Sequence, residues 1–105
     1  METDTYSEYL EDIRPGTILR IEFVEEAGIT PYRLAKDIGV PQSRIEGILD
    51  GKRSISPDTA IRLGRYFGTS AEFWLNLQAH YELAQVKHAK AEVYDRIRPR
   101  ALAVV

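Results

Sequence analysis

Gln42, Ser43, Arg44 and Glu46 crowd four polar side chains into five positions, and each type has a defined use against a nucleic-acid base edge. A glutamine amide pairs with adenine through one donor and one acceptor, an arginine with guanine through two donors, and a glutamate accepts from cytosine. Serine suits either a base or a backbone oxygen, and Arg44 can instead hold a phosphate. Lys52 and Arg53 follow a few residues later as cations suited to clamping a phosphate backbone, and Thr30, Tyr32 and Arg33 precede as a second such group. This chemistry is useful only if the middle group projects from a rigid element narrow enough to enter a groove.

The flanking sequence supplies one. In residues 34–49, LAKDIGVPQSRIEGIL, Ala35 lies where a second helix crosses too closely for a larger side chain, and Gly39 closes the first helix in the left-handed conformation. Leu34 and Ile38 stand one turn apart, Val40 plugs the turn, and Ile45, Ile48 and Leu49 face inward from the second helix. Gln42, Ser43, Arg44, Glu46 and Gly47 are left facing outward. The pattern predicts a helix-turn-helix whose second helix lies in the major groove of double-stranded DNA.

The remaining punctuation predicts an all-α fold of five helices. Pro15-Gly16 introduces the first, over about 17–27, with Ile18, Leu19, Phe23 and Val24 on one face and Gly28 at its end. Thr30-Pro31 starts the second, which ends near Ile38, and the third runs from near Pro41 to Asp50-Gly51. Ser56-Pro57-Asp58 caps the fourth, closed by Gly68, and Thr69-Ser70 caps a longer fifth helix from about Ala71 towards residue 90. The chain thus divides into an acidic arm (1–14), a helix-turn-helix domain with a dimerising last helix (15–90) and a tail without helical pattern (91–105), whose ALAVV end has the composition of a short pairing segment.

The 105 residues suit one domain, and no apolar run approaches the roughly 20 residues that span a bilayer. With no cysteine and no basic-then-apolar N-terminus, the expectation is a cytoplasmic protein without disulfides. The net charge of −2 is unevenly spread. Residues 1–30 carry a net −6, whereas residues 31–69, which contain the motif, carry +3. Phosphate attraction follows the local patch, so the acidic total is compatible with DNA, and two copies side by side suit it better than one. An enzyme is not expected: there is no Gly-rich phosphate loop, no nucleophile with a base, and no metal or cofactor set. His80 and His88 lie about two turns apart on the last helix, too far to share an ion within one chain.

Phe73, Leu77, Tyr81 and Ala84 form a helical stripe flanked by Trp74 and Leu75. Two readings stand: these residues complete the core of a single chain, or Phe73, Trp74, Leu77 and Tyr81 form a core shared across a two-fold axis. The second reading brings palindromic operators with it.

The segments RPGTIL and LAKDIGVPQSRIEGILDGKRSISPDTAIRLGRYFGTSAEFWLNLQAHYEL resemble the HigA (VapI) family of antitoxins, within the XRE or lambda-repressor-like class. The likeness covers about residues 14–83, and DTAIRLGRYFGTSAEFWLNLQ is its most specific part. It implies a lambda-repressor-like domain with a C-terminal helical extension in a homodimer that represses its own operon and neutralises a HigB-type ribonuclease toxin of the RelE class. Such toxins are basic, so the acidic first 30 residues are the expected docking segment, with Tyr6, Tyr9, Leu10, Phe23 and Val24 as apolar anchors. The alternatives are an arm that only solubilises, and a stand-alone XRE regulator without a toxin.

Overall fold

The computed structural model describes residues 13–101, and the described part is helical without a strand. Pro15 takes the first helical position, where its missing N–H costs nothing, so helix α1 begins at Pro15–Ile18, slightly earlier than expected. It runs on without a break as a wider π-helical segment, Leu19–Glu25. Residues five apart stack on one face of a π-helix, which brings Leu19 and Val24 into the core together.

Helix α2 spans Pro31–Ile38, its N-terminus capped by Thr30 Oγ1, which accepts from the Arg33 N–H at 3.1 Å. Gly39, at φ 74°, ends it in the left-handed conformation, as the motif requires. Helix α3 spans Gln42–Leu49. Helix α4, Pro57–Phe67, and helix α5, Ala71–Ala89, are capped by Ser56 and Ser70, whose hydroxyls accept from the N–H groups of Thr59 and Phe73. A sixth helix, α6, occupies Ala91–Asp95, inside the segment expected to be an unpatterned tail. The break before it falls at Lys90, at φ −121°, with neither glycine nor proline to announce it.

The core joins all of the first five helices. Ile18 and Leu19 of α1 meet Leu34, Ala35 and Ile38 of α2, Ile45, Ile48 and Leu49 of α3, Ala60 and Leu63 of α4, and Trp74 and Leu77 of α5. Gly16 makes one of these approaches possible, because a Cβ there would collide with the carbonyl oxygen of Ile48. Trp74 is fully buried, donates through Nε1 to Thr69 Oγ1 at 2.7 Å, and packs on Phe23 with ring centroids 4.7 Å apart. Phe23 also packs on Phe67 and Phe73, so the aromatic segment ties α1 to the α4–α5 junction.

This packing corrects two expectations. Trp74 and Leu77 are 0% and 4% exposed in a single chain, so they belong to its own core and present no surface to a second copy; Phe73 and Tyr81 are half-buried. Val24, at 4%, is likewise core and cannot anchor a toxin, and Phe23 is half-buried by its aromatic neighbours. Tyr6, Tyr9, Leu10 and most of the acidic arm lie outside the described residues, as does most of ALAVV.

Beyond the core the second half of α5 and all of α6 project, which stretches the described part to 52 × 30 × 24 Å. Leu83, Val86, Val93, Tyr94 and Ile97 are exposed along this projection. No described helix is long and apolar enough to cross a membrane.

Candidate nucleic-acid interface

Helix α3 buries Ile45, Ile48 and Leu49 and turns Gln42, Ser43 and Glu46 outward, all three exposed. Gln42 Nε2 donates to Glu46 Oε1 at 3.0 Å, one turn along the helix. The contact uses one amide N–H and leaves the other N–H and the carbonyl oxygen outward, which is the donor and acceptor set that adenine requires.

Arg44 differs from its neighbours. Its side chain is only 27% exposed, and Nη1 donates to Asp58 Oδ2 at 3.1 Å, on the first turn of α4. The same carboxylate oxygen accepts from Arg62 Nε at 3.0 Å. Arg44 is therefore drawn sideways along the motif rather than straight outward.

Arg62 supports the motif from α4, since its Nη1 donates to the carbonyl oxygen of Ile38 at 2.7 Å. It thus satisfies an orphan carbonyl at the end of α2, where a cation also suits the helix dipole. The signal that points to it is the set of C-terminal carbonyls left open by the turn at Gly39, together with Asp58 one turn before Arg62 on α4.

Thr30, Tyr32 and Arg33 are all exposed at the start of α2. Arg33 pairs with Asp37 at 3.2 Å, and Tyr66 donates to the same carboxylate at 2.6 Å. That hydrogen bond to Asp37, with lesser contributions from desolvation and from the charge of Asp37, raises the Tyr66 pKa above the usual tyrosine value.

After α3 the chain folds back on it: the N–H groups of Lys52 and Arg53 both donate to the Gly47 carbonyl, at 2.9 and 3.1 Å. The absence of a side chain at Gly47 admits the stem of Arg53, whose Cβ would sit 3.2 Å from a Cβ at that position. Farther along, Gln78 of α5 grips the loop, with Nε2 donating to the Ile55 carbonyl and Oε1 accepting from the Ile55 N–H. Lys52 and Arg53 are exposed, and neither forms an ion pair among the described residues. The structure so brings α3 together with both expected clamp groups on adjoining elements, and it adds Gln78 as a residue that fixes one of them.

A helix-turn-helix family model matches residues 21–74. Virulence-associated protein I of Dichelobacter nodosus is 43% identical over 81 residues, covering 77% of this chain and 75% of that protein. Antitoxin HigA-1 of Vibrio cholerae is 32% identical over 84 residues, covering 80% of this chain and 79% of that one. Among solved structures, the Pseudomonas aeruginosa antitoxin HigA with the higBA promoter is 46% identical, with a TM-score of 0.78 over 83% of this chain and 96% of that chain.

Proposed function

Because this chain belongs to the helix-turn-helix family that includes the VapI and HigA antitoxins, we propose that it is an antitoxin that binds its operator DNA and represses its own operon. The observation that carries this reading is the outward face of α3, with Gln42, Ser43 and Glu46 exposed between the Thr30–Arg33 and Lys52–Arg53 groups. The solved relative that holds a promoter has the same fold over most of both chains, which supports the same mode of docking.

In that mode the N-terminal end of α3 enters the major groove, with Gln42 and Ser43 nearest the bases. Thr30, Tyr32 and Arg33 hold the phosphates on one side and Lys52 and Arg53 those on the other, which fixes the register without reading sequence. Two copies reading a palindrome double these contacts. The face that joins them is the exposed apolar run of Leu83, Val86, Val93, Tyr94 and Ile97, since Trp74 and Leu77 are consumed by the core.

The toxin is a HigB/RelE-type ribonuclease, met by the acidic N-terminal region. Within the described residues, Glu22, Glu25, Glu26 and the apolar Ile21 are exposed on α1 and supply the electrostatic and apolar parts of such a contact.

Titration of the purified protein against the duplex upstream of its gene, and against a scrambled duplex, tests the DNA reading; equal affinity for the two overturns it. Co-expression with the product of the adjoining gene tests the partner. Recovery of the antitoxin alone leaves a stand-alone regulator.

A further inference from the structure

Arg14 is absent from the expected interface, yet it stands beside it. Its guanidinium lies over Gly51, at the end of α3, so closely that a Cβ at Gly51 would be 2.8 Å from Nη1. Gly51 is at φ 75°, so the turn that brings Lys52 and Arg53 back towards α3 also leaves the space that Arg14 occupies. Between them opens a cleft of about 170 Å³, lined by Arg14, Lys52 and Arg53 and by the apolar Pro15, Ile48 and Ile55. Gln78, Tyr81 and Glu82 of α5 complete it. Glu82 is the one carboxylate among the lining residues, against three cations, and none of the three cations is ion-paired among the described residues.

We propose that this cleft seats one backbone phosphate of the operator, held by Arg14 together with Lys52 and Arg53. The inference rests on the DNA-binding reading above and extends it to a residue on a different helix. Three cations line one cleft against a single carboxylate, so an anion there meets a local positive patch. The guanidinium matches a phosphate through two parallel N–H groups. Gln78 holds the loop backbone from α5, so the seat is built before DNA arrives. Glu82 opposes the anion and moderates its affinity.

The test is a titration of operator and scrambled duplexes at several salt concentrations with the wild-type chain, Arg14→Gln and Glu82→Gln, each checked for helical content by circular dichroism. Arg14→Gln should weaken both duplexes by the same factor, roughly three- to tenfold, and flatten the slope of log affinity against log salt by about 0.9. Glu82→Gln should strengthen both, which a merely damaged fold would not do. Unchanged affinity and slope in Arg14→Gln, or a loss confined to the operator, would overturn the phosphate seat and leave the DNA reading intact. A wild-type chain that binds neither duplex would overturn both.

Discussion

Arg44 of α3 and Asp58 of α4 are joined by a hydrogen-bonded ion pair of 3.1 Å, so the one guanidinium on the recognition helix is held by the next helix rather than by solvent. Asp58 is 59% exposed and shares the same oxygen with Arg62. A pair so open to water is worth about 0–1 kcal/mol, less than a bidentate contact with guanine, worth about 1–3 kcal/mol. Arg44 can therefore leave Asp58 for a base. Arg44→Ala should cost about 1–3 kcal/mol and relax preference at one base pair, and Asp58→Asn, which releases Arg44, should alter preference at that same pair. Titrations on operators mutated one position at a time decide this. A uniform loss over all duplexes would assign Arg44 to the backbone, as expected of Lys52→Ala.

Gly16 is set by close approach rather than by backbone angle. A methyl group there meets the Ile48 carbonyl oxygen, a backbone atom that cannot rotate away, so α1 and α3 must separate. Gly16→Ala should destabilise the fold by about 1–3 kcal/mol, seen as a lower urea midpoint. An unchanged midpoint would show that the helix start shifts freely.

Gln78 satisfies both backbone groups of Ile55, a residue 1% exposed. Gln78→Leu keeps the bulk and removes both partners, leaving buried groups without hydrogen bonds at about 1–3 kcal/mol. The same change frees the loop that carries Lys52 and Arg53, so affinity for all duplexes should fall together. Melting and titration on one sample would test the link, and stability lost without affinity would break it.

What is legible in the sequence follows from how local each signal is. Caps and stops at Thr30, Gly39, Ser56, Gly68 and Ser70 are chemistry between neighbours, and the helices between them stand where the pattern predicts. Trp74 and Leu77 are ambiguous in sequence because a stripe tells that a face is covered without telling by what; Phe23, Phe67 and Phe73 surround Trp74 in this structure. The contacts of Arg44, Arg62 and Arg14 escape the sequence for a related reason. Their partners Asp58, Ile38 and Gly51 are set by the helix crossings, and no spacing rule within one helix could reveal them.

Tyr66 gives the fold an alkaline dependence of known sign. Its hydroxyl donates to Asp37, so the folded state holds the phenolic proton more tightly than the unfolded chain does. A pKa raised on folding contributes stability fully below the unfolded value and loses it as pH rises through the folded value. The melting temperature of the wild type should therefore decline through the tyrosine range and above by more than that of Tyr66→Phe. Parallel curves for the two would remove the Asp37 contact from the account.

The exposed run on α5 and α6 carries the last prediction. Leu83 and Val86 lie one turn apart, Val93 and Tyr94 continue on α6, and Ile97 lies just beyond it; Leu83 is 54% exposed and Ile97 67%. Side chains of this size left about half in water each forgo on the order of 1 kcal/mol of burial, and a two-fold interface recovers that twice for every residue it covers. A charge on the axis is then opposed by its own copy. Leu83→Asp should thus shift the protein to monomers in sedimentation at micromolar concentration, with its melting temperature extrapolated to low concentration unchanged, because Leu83 contributes little to the core of one chain. Binding to a palindromic duplex should weaken far more than binding to a half-site, since only the palindrome uses both copies. If Leu83→Asp remained dimeric while a substitution at Tyr81 did not, the interface would lie in the earlier part of α5, where Phe73 and Tyr81 keep part of their surface.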